Sequence, residues 1–224
     1  MADLGPLWLS VQVAAAATVL ILLIGVPVAL GLARLDFPGK GFLSGLLVIP
    51  VVLPPTVLGY LLLQLLGRRT FVGHWLEQAL GVVLVFHWTG AVVASAVTAF
   101  PLFLLPARGA FEDVDPALED VARLLGRGEL AVFRAVTLPL AWRGLAAATV
   151  LAFARALGDF GATMMVAGNI PGLTQTASLA IYDAVQAGDT ARAARLTLWM
   201  SLISIAALWL VQRTLPARAR GALR

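Results

Sequence analysis

Lys, Arg, Asp and Glu are absent from Leu4 to Ala33, from Gly41 to Gly67 and from Gln78 to Ala107. A fourth apolar run, Gly144 to Gly168, is interrupted only by Arg155 and Asp159, and the shortest covers Leu196 to Gln212. The hydrocarbon core of a bilayer, about 30 Å thick, takes about 20 apolar residues per helix. Backbone groups in lipid must be hydrogen-bonded within the protein, so these runs predict helices and not open strands. The expected fold is an all-α integral membrane protein, a single domain over residues 1–224. About five spans are expected, near 6–33, 42–66, 79–105, 140–168 and 195–214, with a charged loop at 112–139.

Composition agrees with this pattern: 60% of residues are hydrophobic and 12% charged, far from a soluble domain. The first run has no basic flank before it and is longer than the apolar part of a cleaved signal, so it is expected to stay in the mature chain. Positive charge gives the orientation. Arg34, Lys40, Arg108, Arg123, Arg127, Arg134, Arg143, Arg213, Arg218, Arg220 and Arg224 fall in one set of loops, against Arg68, Arg69, Arg192 and Arg195 in the other. Cytoplasmic loops carry the excess, which puts the amino terminus outside and the carboxyl terminus inside. The basic pI of about 10.6 follows from this topology; no aromatic-interleaved basic patch points to nucleic acid. With no cysteine there is no disulfide framework.

The only lysine, Lys40 in "FPGKGF", is followed by glycine where a phosphate-binding loop needs Ser or Thr. ATP is therefore not expected to be hydrolysed here. His74 and His87 have no carboxylate at ligand spacing; His74 reads as an outer-loop residue and His87 as a packing hydrogen bonder within the third span. In "VIPVVLPPTVLGY" the Pro54-Pro55 pair removes consecutive backbone donors, and broken membrane helices lie against cavities or moving parts. Pro54 and Pro55 are read as a pathway or hinge element; Pro27 fits a static kink equally well.

An Arg or Asp at mid-bilayer costs about 2.5–3.5 kcal/mol on insertion scales. Arg155 and Asp159, at i and i+4, are expected on one helix face. Neutralising each other is the plain structural reading. However, the cation stands on the amino-terminal side, the poorer orientation, and Gly158 and Gly161 weaken the helix around them. The pair, with Gly158, Gly161 and Thr163, is therefore read as part of a translocation pathway or gate. Thr163, Asn169, Thr174 and Thr176 could donate hydrogen bonds at the outer mouth, but are read as loop residues meeting water. A different class, intramembrane aspartyl proteolysis, would need Asp159 and Asp183 to share a proton. Ala156 replaces the first glycine of that pattern, and the two motifs stand in reverse order.

In "EDVDPALEDVARLLGRGELAVFRAVTLPLAWRG", Asp115 can cap a helix opened by Pro116, with Glu119 and Asp120 in its first turns. Leu118, Val121, Ala122 and Leu125 repeat at helical spacing, and Gly126 follows where a helix ends in a left-handed residue. This short amphipathic helix needs a cover for its apolar stripe, and a partner subunit is the sharper expectation.

The segment resembles the cytoplasmic Glu-Ala-Ala loop of ABC importer permeases. Asp120, Val121 and Ala122 stand at those three positions, Gly126 at the glycine and Leu138-Pro139 at the closing pair; the first two positions depart from the pattern. The resemblance implies that Glu119, Asp120, Val121, Ala122, Leu125, Gly126, Leu138 and Pro139 couple the chain to a separate ATP-binding subunit. "FARALGDFGATMMVAGNIPGLTQTASLAIY" is similar to the matching region of molybdate importer permeases, with Asp159 where glutamate is more usual. It implies import of molybdate or a related oxyanion, tungstate or sulfate, by a transport permease that is no enzyme. The implied partners are a second copy of the chain, two ATP-binding subunits holding ATP and magnesium, an extracytoplasmic oxyanion-binding protein, and membrane lipid. No cofactor is expected on the chain itself.

Overall fold

A computed structural model of the chain describes Leu4 to Thr214, Val82 excepted, and all regular structure among these residues is helical. Helix α1 runs without a break from Leu4–Arg34, Pro27 included. Helices α2 (Lys40–Val52) and α3 (Pro55–Leu66) follow, bent by 114° at their junction. Two consecutive prolines explain why this site breaks and Pro27 does not. A residue before proline is driven out of the helical region; Leu53 precedes Pro54 and Pro54 precedes Pro55, and both are extended, with ψ of 139° and 136°.

Helix α4 covers Phe71–Leu80 and α5 covers Trp88–Glu112. The third apolar run thus does not form one helix from residue 79. Gly81 turns left-handed after α4, Phe86 has a φ of 57°, and α5 begins only at Trp88. His87 is therefore not inside a span: it caps α5, its ring accepting from the Thr89 amide.

Helix α6 (Pro116–Leu124) lies between α5 and a long rod, Glu129–Leu157. The rod comprises α7 (Glu129–Val132), a π-helical turn (Phe133–Thr137) and α8 (Leu138–Leu157). Pro139 has no amide to offer the carbonyl one turn back, and the wider π turn stands where that carbonyl would clash. The fourth run is also divided: α8 stops at Leu157 and α9 (Gly161–Ala167) begins after a break. Helices α10 (Ala177–Gln186) and α11 (Thr190–Thr214) complete the described chain; Arg218, Arg220 and Arg224 lie outside the described residues.

Among the described residues, four helices are long and apolar enough to cross a membrane, and the bent α2–α3 pair makes up to five. Helix α5 is central, packed on α1 and α8. The seam is built from buried small residues, among them Ala14, Ala17, Ala96, Ala99, Ala148 and Ala152, which let helix backbones approach closely where lipid offers no hydrophobic drive. Gly25 shows how closely: a Cβ there would stand 2.7 Å from the buried Phe103 ring. Burial falls away at the edge, with 67% of the apolar window of α5 buried but 11% of that of α11.

Candidate functional site at a docking helix and two broken spans

At the charged end of the molecule, α6 is defined by its caps. Asp115 Oδ1 accepts the Ala117 amide at 2.9 Å, and Pro116 fills the first helical position. At the other end Gly126 has a φ of +80°. Its amide donates to Arg123 O at 2.9 Å and that of Arg127 to Ala122 O at 3.2 Å, the pair of bonds that closes a helix through a left-handed glycine. Leu118, Val121, Leu124 and Leu125 are exposed, the last two by 87% and 79%. Leu124, which helical spacing alone did not single out, is the most open of the stripe.

Charge organises the rest of this end. Arg123 donates to Asp120 Oδ1 and to Glu129 Oε1, both at 2.8 Å, and so ties α6 to α7. The hydrogen bond from Arg123 holds the Glu129 carboxyl below the usual carboxylate range, and its two acidic partners push the Arg123 guanidinium up. Glu119 behaves otherwise. It is not on the exposed face, as a residue contacting a docked subunit would be, but buried against Arg34 and Thr137. Leu138 and Pro139 open α8 directly after the π turn.

Toward the opposite end, Arg155 and Asp159 form an ion pair of 3.2 Å, but not along one helix face. Arg155 is in the last turn of α8, whereas Asp159 lies in the break that Gly158 begins. One carboxylate oxygen takes Arg155; the other accepts the Thr163 amide at 3.0 Å and the Thr163 hydroxyl at 2.7 Å. Asp159 thus satisfies the free amino-terminal end of α9, where a negative charge is favoured. The Thr163 hydroxyl also lies 3.3 Å from Ser95 Oγ on α5. The aspartate side chain is 1% exposed and the arginine 31%, so the anion is locked inward while the cation stays partly open.

The two breaks meet. A Cβ on Gly161 would lie 3.0 Å from Pro55 Cβ, and one on Gly59 would lie 2.9 Å from the Ala162 Cα. Helix α9 therefore seats directly on the start of α3, beside Pro54 and Pro55.

The polar residues in and after α9 are not solvated loop groups. Thr163, within α9, and Thr174 and Thr176, beyond it, are buried, and Thr174 Oγ1 accepts the Ile170 amide at 3.1 Å. Asn169 and Gln175 each donate to Asp183, both at 2.7 Å. With Asp183 held by amides and Asp159 by Arg155 and Thr163, the two carboxylates have separate partners and are not a proton-sharing dyad.

Residues 11–219 match the family of the "binding-protein-dependent transport system inner membrane component". The chain belongs to that family. Such a component works with substrate-binding and ATP-binding proteins in the inner membrane and is a transport permease, not an enzyme. The chain is 47% identical over 199 residues to the Escherichia coli K12 molybdenum transport system permease protein ModB, covering 88% of this chain and 85% of that one. To the Haemophilus influenzae ModB it is 43% identical over 210 residues, covering 92% of each. A bacterial ABC transporter involved in the import of the acidic polysaccharide alginate shares the fold with a TM-score of 0.69. Identity there is 15%, over 92% of this chain and 77% of that one. An amino acid ABC transporter solved with histidines gives 0.63 at 18% identity, over 95% and 92%.

Proposed function

We propose that this chain is the membrane-spanning subunit of an ATP-driven importer that carries molybdate, or a close tetrahedral oxyanion such as tungstate or sulfate, into the cytoplasm. The observation that carries the reading is the 47% identity, along most of both chains, to a molybdenum transport permease. The chain does no covalent chemistry. ATP and magnesium belong to a partner subunit docked on the exposed face of α6, around Val121, Ala122, Leu124 and Leu125, with Gly126 setting the end of that surface. The amino terminus lies outside and the carboxyl terminus inside, as the distribution of arginines suggests. Five spans are few to enclose an aqueous route, and a second copy related by a two-fold axis completes it.

In this reading the break at residues 158–160 faces the route, so that two Arg155 guanidinia, one per copy, meet the dianion. Asp159 takes part of each cation's charge and keeps the site weak, as passage requires. The movable element is α9 on the Pro54-Pro55 bend, with Gly158 and Gly161 at either end of the break that precedes it and Thr163 holding Asp159.

The deciding experiment is uptake of labelled molybdate by the reconstituted complex in proteoliposomes, in competition with tungstate and sulfate. Molybdate uptake suppressed by tungstate and little by sulfate is expected; transport of sulfate alone would overturn the substrate while leaving the architecture.

A further inference from the structure

Two carboxylates are buried among the described residues, Asp159 and Glu119. The first belongs to the break in the fourth span. The second is on α6 and faces the protein, with its side chain 5% exposed. Glu119 Oε1 accepts from Arg34 Nη2 at 2.9 Å and from the Thr137 hydroxyl at 2.7 Å, and Arg123 stands 3.8 Å from its other oxygen. Arg34 is the last residue of α1, and its Nη2 also donates to the Val114 carbonyl at 3.0 Å. Thr137 ends the π turn that leads into α8. One side chain of α6 thus joins the ends of two spans.

Three observations argue that this cluster does more than hold α6 in place. A buried ion pair is a poor static fastener, since apolar groups of the same size are often as stabilising. The grip is also single-handed: Nη2 makes both contacts while Arg34 Nε is buried without a partner. A forked, two-nitrogen grip would fix orientation; a single nitrogen lets the Arg34–Glu119 contact itself pivot. Finally, the packing of α6 is against α7 and the π turn, so its connection to α1 runs through Arg34 and the loop at Val114.

We propose that Arg34, Glu119 and Thr137 form a coupling pivot that passes displacement of α6 to α1 and α8. The three are positioning residues: pressure on the exposed face of α6 moves the Glu119 carboxylate, which draws on the end of one span and on the π turn of another. The inference rests on the reading of α6 as the dock for an ATP-binding subunit.

The test uses the complete reconstituted transporter, permease with ATP-binding subunit and binding protein. ATP hydrolysis and molybdate uptake are measured in the same vesicles, and capture of the ATP-binding subunit is measured in parallel. Arg34→Gln and Thr137→Val, which leave the exposed leucines untouched, are expected to keep capture within about twofold. Molybdate moved per ATP falls about tenfold for Arg34→Gln and about threefold for Thr137→Val, the range of residues that carry coupling without touching a ligand. Arg34→Lys, which keeps the charge, recovers at least half of the wild-type ratio. An unchanged ratio in both variants would make the cluster a static anchor and overturn the proposal. Lost capture with an unchanged ratio would do so too, by placing the cluster in the docking surface. If Arg34→Gln fails to reach the membrane, the near-isosteric Thr137→Val decides alone. A wild-type chain that captures no ATP-binding subunit would bring down the functional reading and the pivot with it, a result distinct from any variant effect.

Discussion

Asp159 receives both the hydroxyl and the backbone amide of Thr163 on one carboxylate oxygen, at 2.7 and 3.0 Å. Removing the hydroxyl leaves a buried charge one donor short, at a cost of about 1–3 kcal/mol. Thr163→Val is therefore expected to lower the midpoint of thermal unfolding in detergent, while Thr163→Ser, which keeps the donor, stays near wild type. Equal midpoints for the two would mean that the hydroxyl does not hold Asp159.

Arg155 is the partly open member of its pair. Arg155→Ala is expected to reduce oxyanion uptake at least about tenfold, in keeping with the functional use of intramembrane charge, without reducing capture of the ATP-binding subunit. Uptake assayed in proteoliposomes at matched protein density checks this, and an unchanged rate would remove Arg155 from the pathway.

The close seat of α9 on α3 makes Gly59 intolerant of size. Any side chain there meets Ala162 Cα at 2.9 Å and Met165 Cβ at 2.8 Å, so Gly59→Val is expected to cost about 1–3 kcal/mol by overpacking. Gly45, also helical, has nothing within 4 Å of its Cβ position, and Gly45→Ala should be neutral or slightly stabilising. Parallel melting curves of the two variants distinguish a local clash from a general dislike of larger residues.

On α6, Leu124 and Leu125 stand open to the extent of 87% and 79%. Leu125→Asp should therefore leave the melting midpoint unchanged and weaken co-purification of the ATP-binding subunit by tenfold or more, about the loss of one buried anchor. Gly126→Ala should do the reverse in part: at a φ of +80° a Cβ costs about 1–2 kcal/mol, loosening the end of the helix before it affects contact. Pull-down against the purified ATP-binding subunit, with stability measured alongside, separates the two effects.

What sequence alone reveals here is whatever depends on neighbours along the chain. The Asp115 cap, Pro116 and the left-handed Gly126 are local choices, and they bound α6 as expected. Apolar runs likewise announce the long helices. Hydropathy is blind to backbone conformation, however, so the uncharged stretch from residue 79 conceals the turns at Gly81 and Phe86. The run around Asp159 likewise conceals a break; the glycines on either side of "DF" were the available signal, and their place is between two helices and not within one. Glu119 shows the other limit. An acid in a first helical turn reads as a response to the helix dipole, and nothing nearby reveals that its partner Arg34 stands 85 positions earlier.

The bend between α2 and α3 bears on how the chain enters the bilayer. At 1.5 Å per residue, neither the 13 residues of α2 nor the 12 of α3 reach across the roughly 30 Å of hydrocarbon. Helix α3 finds its main support on α9, which is synthesised much later. During translation the α2–α3 pair must therefore wait, half-supported against α5, until the carboxyl-terminal half arrives to finish it. A nascent chain cut short before α9 would leave the Pro54-Pro55 elbow without its main packing partner.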